Sequence, residues 1–444
     1  MNIAIVGTGY VGLVAGACFA DFGHTVTCVD VDARRLDEIR AGRMPFYEPG
    51  LSEIVQRGMT AGRLHFTTDI GEAVRGSLVL FITVGTPDKE DGSGADLSQI
   101  EAAGQALASH IEDYRVVVLK STVPVGTSQR IRALLSKTVS PSSFDVVSNP
   151  EFLREGSAIG DFVRPDRVVI GASSPSAAAI MREIYRPLYL IEAPIIVTDN
   201  ATAEMIKYAS NAFLAMKVSF INEVANLCDN ASADVHVVAK GMGLDRSIGP
   251  KFLHPGPGYG GSCFPKDTRA LAAIGRQFGA PQRLVEATIA VNEHQREVVF
   301  EKIERAVEGV KGREIAILGL SFKPNTSDVR ESPALDICER LIAAGAHLRL
   351  FDPVAADEAV RELARLSGTI STHPDAYEAA TGADAVVIMT EWNEFRNLDL
   401  KQLMVVMRSP MVIDIRNVLE PAQAQALGIP YVCMGRPVAV PVRV

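Results

Sequence analysis

Of the six cysteines in the chain, one sits in a setting suited to chemistry. Cys263 lies in Gly260-Gly261-Ser262-Cys263-Phe264-Pro265-Lys266-Asp267, with glycines before it and a proline two residues after. Proline is favoured in the first turn of a helix, so Cys263 is expected at a helix N-terminus. The helix dipole and the nearby Lys266 lower a thiol's pKa at such a place. A thiolate can add to an aldehyde, and loss of a hydride from the adduct then gives a thioester. Asp267 follows four residues on, along the same side of the helix. Cys18, Cys28, Cys228, Cys338 and Cys433 fall within helix or strand patterns and are expected in cores. No two cysteines show a paired spacing, which points to a reducing compartment and to no metal site.

Three further stretches carry groups that could act with such a thiol. In Asn149-Pro150-Glu151-Phe152-Leu153-Arg154-Glu155-Gly156, directly after an expected strand, Glu151 and Glu155 are four apart. A helical turn would put both on one side, where one could activate a water; an acid-rich first helical turn has the same look. Lys207 and Asn211 are also four apart, among Ala203, Ile206, Ala209, Ala212 and Phe213. They could stabilise a developing oxyanion, or Lys207 could only snorkel from a helix edge. In Lys120-Ser121-Thr122-Val123-Pro124-Val125-Gly126, Thr122 could hold a water or part of a cofactor, or the threonine and proline could serve the turn alone.

What would hold these groups is legible in the first thirty residues. An apolar run at 3–6 suits a buried parallel strand. Gly7-Thr8-Gly9-Tyr10-Val11-Gly12 follows it, then a helical pattern over 13–21 closed by Gly23, then a second strand over 25–29 ending at Asp30. This is the dinucleotide-binding arrangement: Gly7 for the turn, Gly9 for backbone approach to a pyrophosphate, Gly12 for helix–sheet packing. A carboxylate at Asp30 binds ribose hydroxyls and repels a 2′-phosphate, so NAD is expected over NADP. Arg34 and Arg35 stand close enough in sequence to meet a phosphate instead.

Further strands are expected at 78–84, 116–120 and 144–148, with helices between them, which predicts a parallel sheet covered on both faces. From 200 the strand signal stops, and 201–229 reads as one long helix or a broken pair. Strand–helix alternation returns at 312. The expected architecture is α/β, with two Rossmann-like doubly wound domains (1–199 and 311–444) joined by a helical central domain (200–310) of the kind that often dimerises. Hydrophobic residues make up 47% of the 444 and charged residues 22%, which excludes disordered, collagenous and coiled-coil chains. A formal charge of −9 and no Lys/Arg run argue against nucleic acid or an anionic membrane as partner. No apolar stretch approaches the roughly 20 residues of a membrane span. A soluble cytoplasmic protein is expected.

Taken together, the motifs resemble the UDP-glucose/GDP-mannose dehydrogenase family. The matching stretches are the glycine turn, Val84-Gly85-Thr86-Pro87, Lys120 through Gly126, Asn149 through Gly156, Lys207 with Asn211, Gly258 through Asp267, and Ser321-Phe322-Lys323 with Asp328-Val329-Arg330-Glu331-Ser332. They run in family order across nearly the whole chain. The resemblance implies a four-electron oxidation of a sugar C6 hydroxyl to a carboxylate with two NAD reduced, and a homodimer through the central helix. It makes Cys263 the nucleophile of a thiohemiacetal and a thioester, and Lys207 and Asn211 the oxyanion stabilisers. Thr122 and Asp267 place water, Lys207 is a candidate acceptor of the first proton, Glu155 is the base for thioester hydrolysis and Glu151 supports it. Gly7, Gly9, Tyr10, Val11, Gly12, Asp30, Arg35, Thr86, Thr122, Glu155, Cys263, Lys266 and Arg330 fall to the cofactor. Phe152, Leu153, Glu155, Lys207, Asn211, Phe252, Leu253, Tyr259, Gly260, Phe322, Lys323 and Arg416 fall to the nucleotide sugar. Tyr47-Glu48-Pro49-Gly50-Leu51 and Gly258-Tyr259-Gly260-Gly261 lean towards the UDP-glucose branch, which would make UDP-glucuronate. GDP-mannose and a UDP-N-acetylhexosamine are the alternatives. One position departs: where the family carries an arginine that reaches a neighbouring subunit's sugar, this chain has Ser247, with Arg246 one place early. A two-electron hydroxyacid-type dehydrogenase would share the glycine turn but need no cysteine.

Overall fold

The computed structural model describes residues 1–89, 94–366 and 369–437. The chain packs into two compact units, Met1–Ser210 with Arg269–Pro281, and Asn211–Thr268 with Gln282–Val444.

The first unit is built on an eight-stranded sheet of β1 (Asn2–Val6), β2 (Thr25–Val29), β3 (Leu64–Thr67), β4 (Val79–Ile82), β5 (Arg115–Leu119), β6 (Phe144–Ser148), β7 (Val168–Ala172) and β8 (Ile195–Thr198). Its order is β3-β2-β1-β4-β5-β6-β7-β8. Every residue of β4 and β5 is buried, as expected of strands covered by helices on both faces. The order reverses between β1 and β4, and in such sheets ligands bind at the carboxyl edge beside that reversal.

The sheet is not parallel throughout: β7 runs antiparallel to β6, and β8 follows β7. The link from β6 to β7, residues 149–167, carries one short helix, Ala158–Val163.

The second unit carries a six-stranded parallel sheet of β9 (Glu314–Leu318), β10 (His347–Phe351), β11 (Ile370–Thr372), β12 (Ala385–Ile388), β13 (Val412–Asp414) and β14 (Tyr431–Cys433). The order β11-β10-β9-β12-β13-β14 reverses between β9 and β12, as in the first sheet. Ser332 caps the helix Pro333–Ala343 by accepting from the Ala334 N–H, with Pro333 in its first turn, a favoured pairing at a helix start. Asn200–Ala231 is one unbroken helix of 32 residues. It holds no glycine or proline, which answers the question of a broken pair. The division between the two units falls within it. Among the described residues no helix is long and apolar enough to cross a membrane.

Candidate active site

The dinucleotide turn is built as its glycines require. A Cβ on Gly12 would lie 1.9 Å from the Gly7 carbonyl oxygen, so the helix Tyr10–Asp21 can close on the sheet only with glycine there. Gly9 is the N-cap residue, no side chain caps the helix, and nothing lies within 4 Å of where its Cβ would be. The uncapped N–H groups of this first turn, Val11 included, suit a pyrophosphate. Asp30 directly follows β2, with its carboxylate held by the Thr8 N–H at 2.7 Å, the Thr8 hydroxyl at 2.6 Å, the Asp32 N–H at 3.0 Å and Arg35 at 3.3 Å. Burial pushes this carboxyl up, but the Thr8 and Asp32 donors and Arg35 outweigh it and hold the group below the usual carboxylate range. Among the described residues Oδ1 takes only the Asp32 bond, which leaves acceptor capacity for a ribose hydroxyl. These residues fit NAD. Asp30→Ser should lower the kcat/KM preference for NAD over NADP by about tenfold or more. An unchanged ratio in steady-state kinetics would remove Asp30 from cofactor choice.

Next along the carboxyl edge come the segments after β4, β5 and β6. The Thr86 hydroxyl, after β4, donates to the Thr122 carbonyl, after β5, at 2.9 Å. The segment after β6 departs from the expected helical turn: residues 151–154 have no regular structure and Glu155 and Gly156 form a turn. The cause is local. The Glu151 carboxylate accepts from the Leu153 N–H at 2.6 Å, and such side-chain-to-backbone bonds compete with helix. Glu151 and Glu155 are nonetheless both buried.

Glu151 Oε1 meets Lys207 Nζ at 2.9 Å, with the two side chains 5% and 4% exposed. Lys207 is therefore paired and interior, and the snorkelling alternative falls. Burial pushes the Glu151 carboxyl up, but Lys207 foremost, then the Leu153 N–H and Lys120, hold it below the usual range. The Phe152 ring lies under Lys207 at 5.4 Å and under Arg167 at 3.4 Å.

Three buried residues here were not singled out for chemistry from the sequence. Lys120 bonds Asn149 Oδ1 and the Tyr185 hydroxyl, each at 3.3 Å. Burial pulls its ammonium down to about 8, against the opposing pull of Glu151. Glu48 accepts from the Tyr10 hydroxyl, from the Gly156 N–H at 2.6 Å and from the Ala158 N–H at 2.8 Å. It thereby fastens the loop of Glu155 to the cofactor turn. Glu204, three residues before Lys207, accepts from the Gly126 and Ser128 N–H groups at 2.7 and 3.0 Å and holds the loop that follows Thr122. A charged residue directly after an apolar strand was the available signal for Lys120.

The second unit carries the thiol. Cys263 directly precedes the helix Phe264–Gln277, and its carbonyl accepts from the Asp267 N–H at 2.8 Å. It is thus the N-cap residue, and it is the one cysteine among the described residues that is partly exposed. The Ser262 hydroxyl lies 3.6 Å from its Sγ. Asp267 is buried and is shared by Asn211 Nδ2 at 2.6 Å and Lys266 Nζ at 2.6 Å. Asn211 and Lys207 are one turn apart on the long helix, one in each unit.

At the carboxyl edge of the second sheet, Arg416 follows β13 and donates to the Met389 carbonyl after β12 at 2.9 Å and to the Phe322 carbonyl after β9 at 3.1 Å. Lys323 Nζ lies over the Phe322 ring at 5.3 Å. In the loop before Cys263, the rings of Phe252 and Tyr259 lie 6.0 and 6.1 Å from that of Phe264, and Leu253 is buried in a small core with Ile221 and Val235. Gly260 packs against the Glu331 carbonyl. Arg330 is an exposed side chain paired to Asp328 at 2.7 Å, in the other unit from the glycine turn. Ser247 is exposed, and its N–H donates to Asp245. The acid matching Asp30 in this sheet is Asp352, and it is saturated. Its two oxygens take the N–H groups of Leu320, Ser321, Val354 and Ala355, the Ser321 hydroxyl and the Trp392 indole. It has no capacity for a ribose diol, so the edge cannot repeat the first sheet's mode of binding.

Three family models match in order: the NAD-binding domain of the UDP-glucose/GDP-mannose dehydrogenase family over residues 1–189, its central domain over 201–294 and its UDP-binding domain over 316–421. The chain is 48% identical over 440 residues to a UDP-glucose 6-dehydrogenase of Rhizobium meliloti (strain 1021), covering 98% of this chain and 100% of that protein. It is 47% identical to UDP-glucose 6-dehydrogenase TuaD of Bacillus subtilis (strain 168), covering 98% and 93%. A solved UDP-glucose dehydrogenase from Pyrobaculum islandicum superposes with a TM-score of 0.88 at 37% identity, covering 97% of this chain and 96% of that one.

Proposed function

This chain belongs to the UDP-glucose/GDP-mannose dehydrogenase family, and from that premise we propose that it oxidises UDP-glucose to UDP-glucuronate in two hydride transfers through covalent chemistry on Cys263. The observation that carries this reading is the long helix. In successive turns it presents Lys207, ion-paired to buried Glu151, and Asn211, bonded to buried Asp267. Both are donors held in place before any substrate arrives, which is what stabilising a developing oxyanion requires.

NAD, when bound, accepts a hydride from the sugar carbon in each oxidation. The protein's residues do the rest. Thr122 and Asp267 place a water, and Lys207 is the candidate acceptor of the C6 hydroxyl proton in the first oxidation. The Cys263 thiolate adds to the aldehyde and forms a thiohemiacetal, whose alkoxide charge Lys207 and Asn211 carry. Lys207, bonded to Glu151 at 2.9 Å, carries that charge once it holds the proton. Loss of the second hydride leaves a thioester. Glu155 takes a proton from the water that attacks it, and the thiolate departs. The sum is one alcohol, one water and two NAD consumed, with one carboxylate, two NADH and three protons formed. Glu151 cannot easily serve as that base, since Lys207 depresses its carboxyl.

The UDP moiety is assigned to Phe322, Lys323 and Arg416 with the 252–260 loop, within a C-terminal domain of residues 311–444. Residues 1–199 hold the cofactor, and 200–310 form the central domain. Phe213, Phe220 and Leu227 repeat every seven residues on the long helix and are exposed. This spacing suits packing against a second copy and supports the homodimer. Among the described residues no cysteine forms a disulfide, which suits the cytoplasm.

The test is NADH formed per limiting UDP-glucose. Two NADH per sugar is the expected result. One would mean the aldehyde is the product and would overturn the roles of Cys263 and Glu155. None would move the substrate to GDP-mannose or a UDP-N-acetylhexosamine.

A further inference from the structure

The loop of residues 254–262 has no helix or strand to pair its backbone, and buried backbone groups must find partners elsewhere. The Gly261 N–H finds the Arg330 carbonyl at 3.0 Å; at Gly256 and Tyr259 two helices supply the partners, and there the suppliers are all carboxamides. Asn292, on the helix Arg283–Ala306, accepts from the Tyr259 N–H at 2.7 Å and donates to the Tyr259 carbonyl at 3.1 Å. Asn222, on the long helix, accepts from the Gly256 N–H at 2.8 Å, and Gln295 donates to the Gly256 carbonyl at 2.9 Å. Asn226 donates to Gln295 Oε1 at 2.9 Å and orients it. Asn222, Asn292 and Gln295 are each buried.

At both Gly256 and Tyr259, then, the N–H and the C=O of one residue are read together, as a neighbouring strand would read them. Asn292 does this alone, because a carboxamide both donates and accepts at one residue, whereas a carboxylate only accepts. The fit depends on Gly258: a Cβ there would lie 2.7 Å from Asn292 Oδ1. The consequence reaches the thiol. The Tyr259 ring packs edge-on against Phe264 at 6.1 Å, and Phe264 is the first residue of the helix that Cys263 caps. Neutral amides fix this geometry without adding a charge beside a thiolate or a diphosphate.

We propose that Asn292 and Gln295, with Asn222, are positioning residues that set the 256–259 backbone and thereby hold Cys263 at its helix N-terminus. The proposal deepens the reading of Cys263 as nucleophile and rests on it. The test scores the thiol without substrate, so an unmoved thiol and an absence of NADH from UDP-glucose are separate results.

The experiment follows the rate of Cys263 alkylation by iodoacetamide against pH, with the site verified by peptide mass spectrometry. It is run with the melting temperature and the KM for UDP-glucose. Ser219→Ala is the control: it removes a 3.0 Å bond from the Ser219 hydroxyl to the Thr288 carbonyl between the same two helices, away from the loop. In Asn292→Ala the alkylation midpoint should move up by about one pH unit as the thiolate loses the helix terminus. KM should rise about tenfold as the loop loses its set geometry. Ser219→Ala should lower the melting temperature and move neither. If Asn292→Ala yields no folded protein, Gln295→Ala carries the test, since it leaves both bonds to Tyr259 in place. A midpoint within about 0.2 units of the wild type overturns the proposal, whatever the melting temperature does.

Discussion

Cys263→Ala is expected to reduce steady-state NADH formation from UDP-glucose by about 10⁴-fold or more, with the fold intact. The expectation rests on the absence of a substitute. Cys18, Cys28, Cys338 and Cys433 are buried, and burial pushes each of their thiols up to about 12. They are thiols at neutral pH, and the thiolate is the nucleophile. Cys228 is also buried, with its thiol pushed up by burial and by Asp229. Cys263 alone combines partial exposure with an N-cap position. Without it the aldehyde has no covalent anchor and the second oxidation no thiohemiacetal to start from. Cys263→Ser separates nucleophilicity from size. A serine hydroxyl is almost wholly protonated at neutral pH, so it should restore little of the lost rate. A Cys263→Ala enzyme that keeps more than about one part in a hundred of wild-type turnover would show that the oxidation proceeds without a covalent intermediate.

The features that could be read from the sequence were those set by local spacing. The glycine turn, Asp30 at the end of its strand and Cys263 before a helix each depend on residues within one strand–turn–helix unit. What could not be read depends on partners far along the chain. Glu48 is tied to Gly156, 108 residues away, and Lys120 to Tyr185, 65 residues away. No periodicity reports a buried carboxylate whose donors arrive from another element. The helical turn expected at 151–155 failed for a different reason. Four-residue spacing is blind to whether a glutamate will bond its own backbone, and Glu151 does so through the Leu153 N–H. Nor does any local spacing announce that β7 runs antiparallel to β6. The same long-range dependence gives Lys207 its meaning. In sequence it is a lysine on an apolar face; in the structure it is one half of an interior ion pair with Glu151.

Lys207→Met should therefore have two effects that can be pulled apart. The first is catalytic: loss of a prepositioned cation should cut kcat by about 10²–10³-fold. The second is on stability, because Glu151 is left as a buried charge without its main partner, a change that costs about 3–5 kcal/mol when the charge is retained. Its pH dependence has a definite sign. In the wild type the Glu151 carboxyl is depressed, so the unfolded chain binds the proton more readily than the native one. The pair's stabilisation is then fully present above the unfolded carboxyl pKa of about 4.3 and is lost as pH falls through the depressed native value. In Lys207→Met the desolvation that opposed Lys207 dominates, and the native carboxyl rises above the unfolded one. The native state then binds the extra proton, and stability from this group falls as pH rises above about 4.3. Urea unfolding at several pH values should show that reversal. The double variant Lys207→Met/Glu151→Leu removes the charge problem, since apolar replacement of a buried pair is often neutral or better. It should regain stability while kcat stays low. A double variant that regains kcat along with stability would mean that Lys207 serves the fold and that the oxyanion is stabilised by other groups.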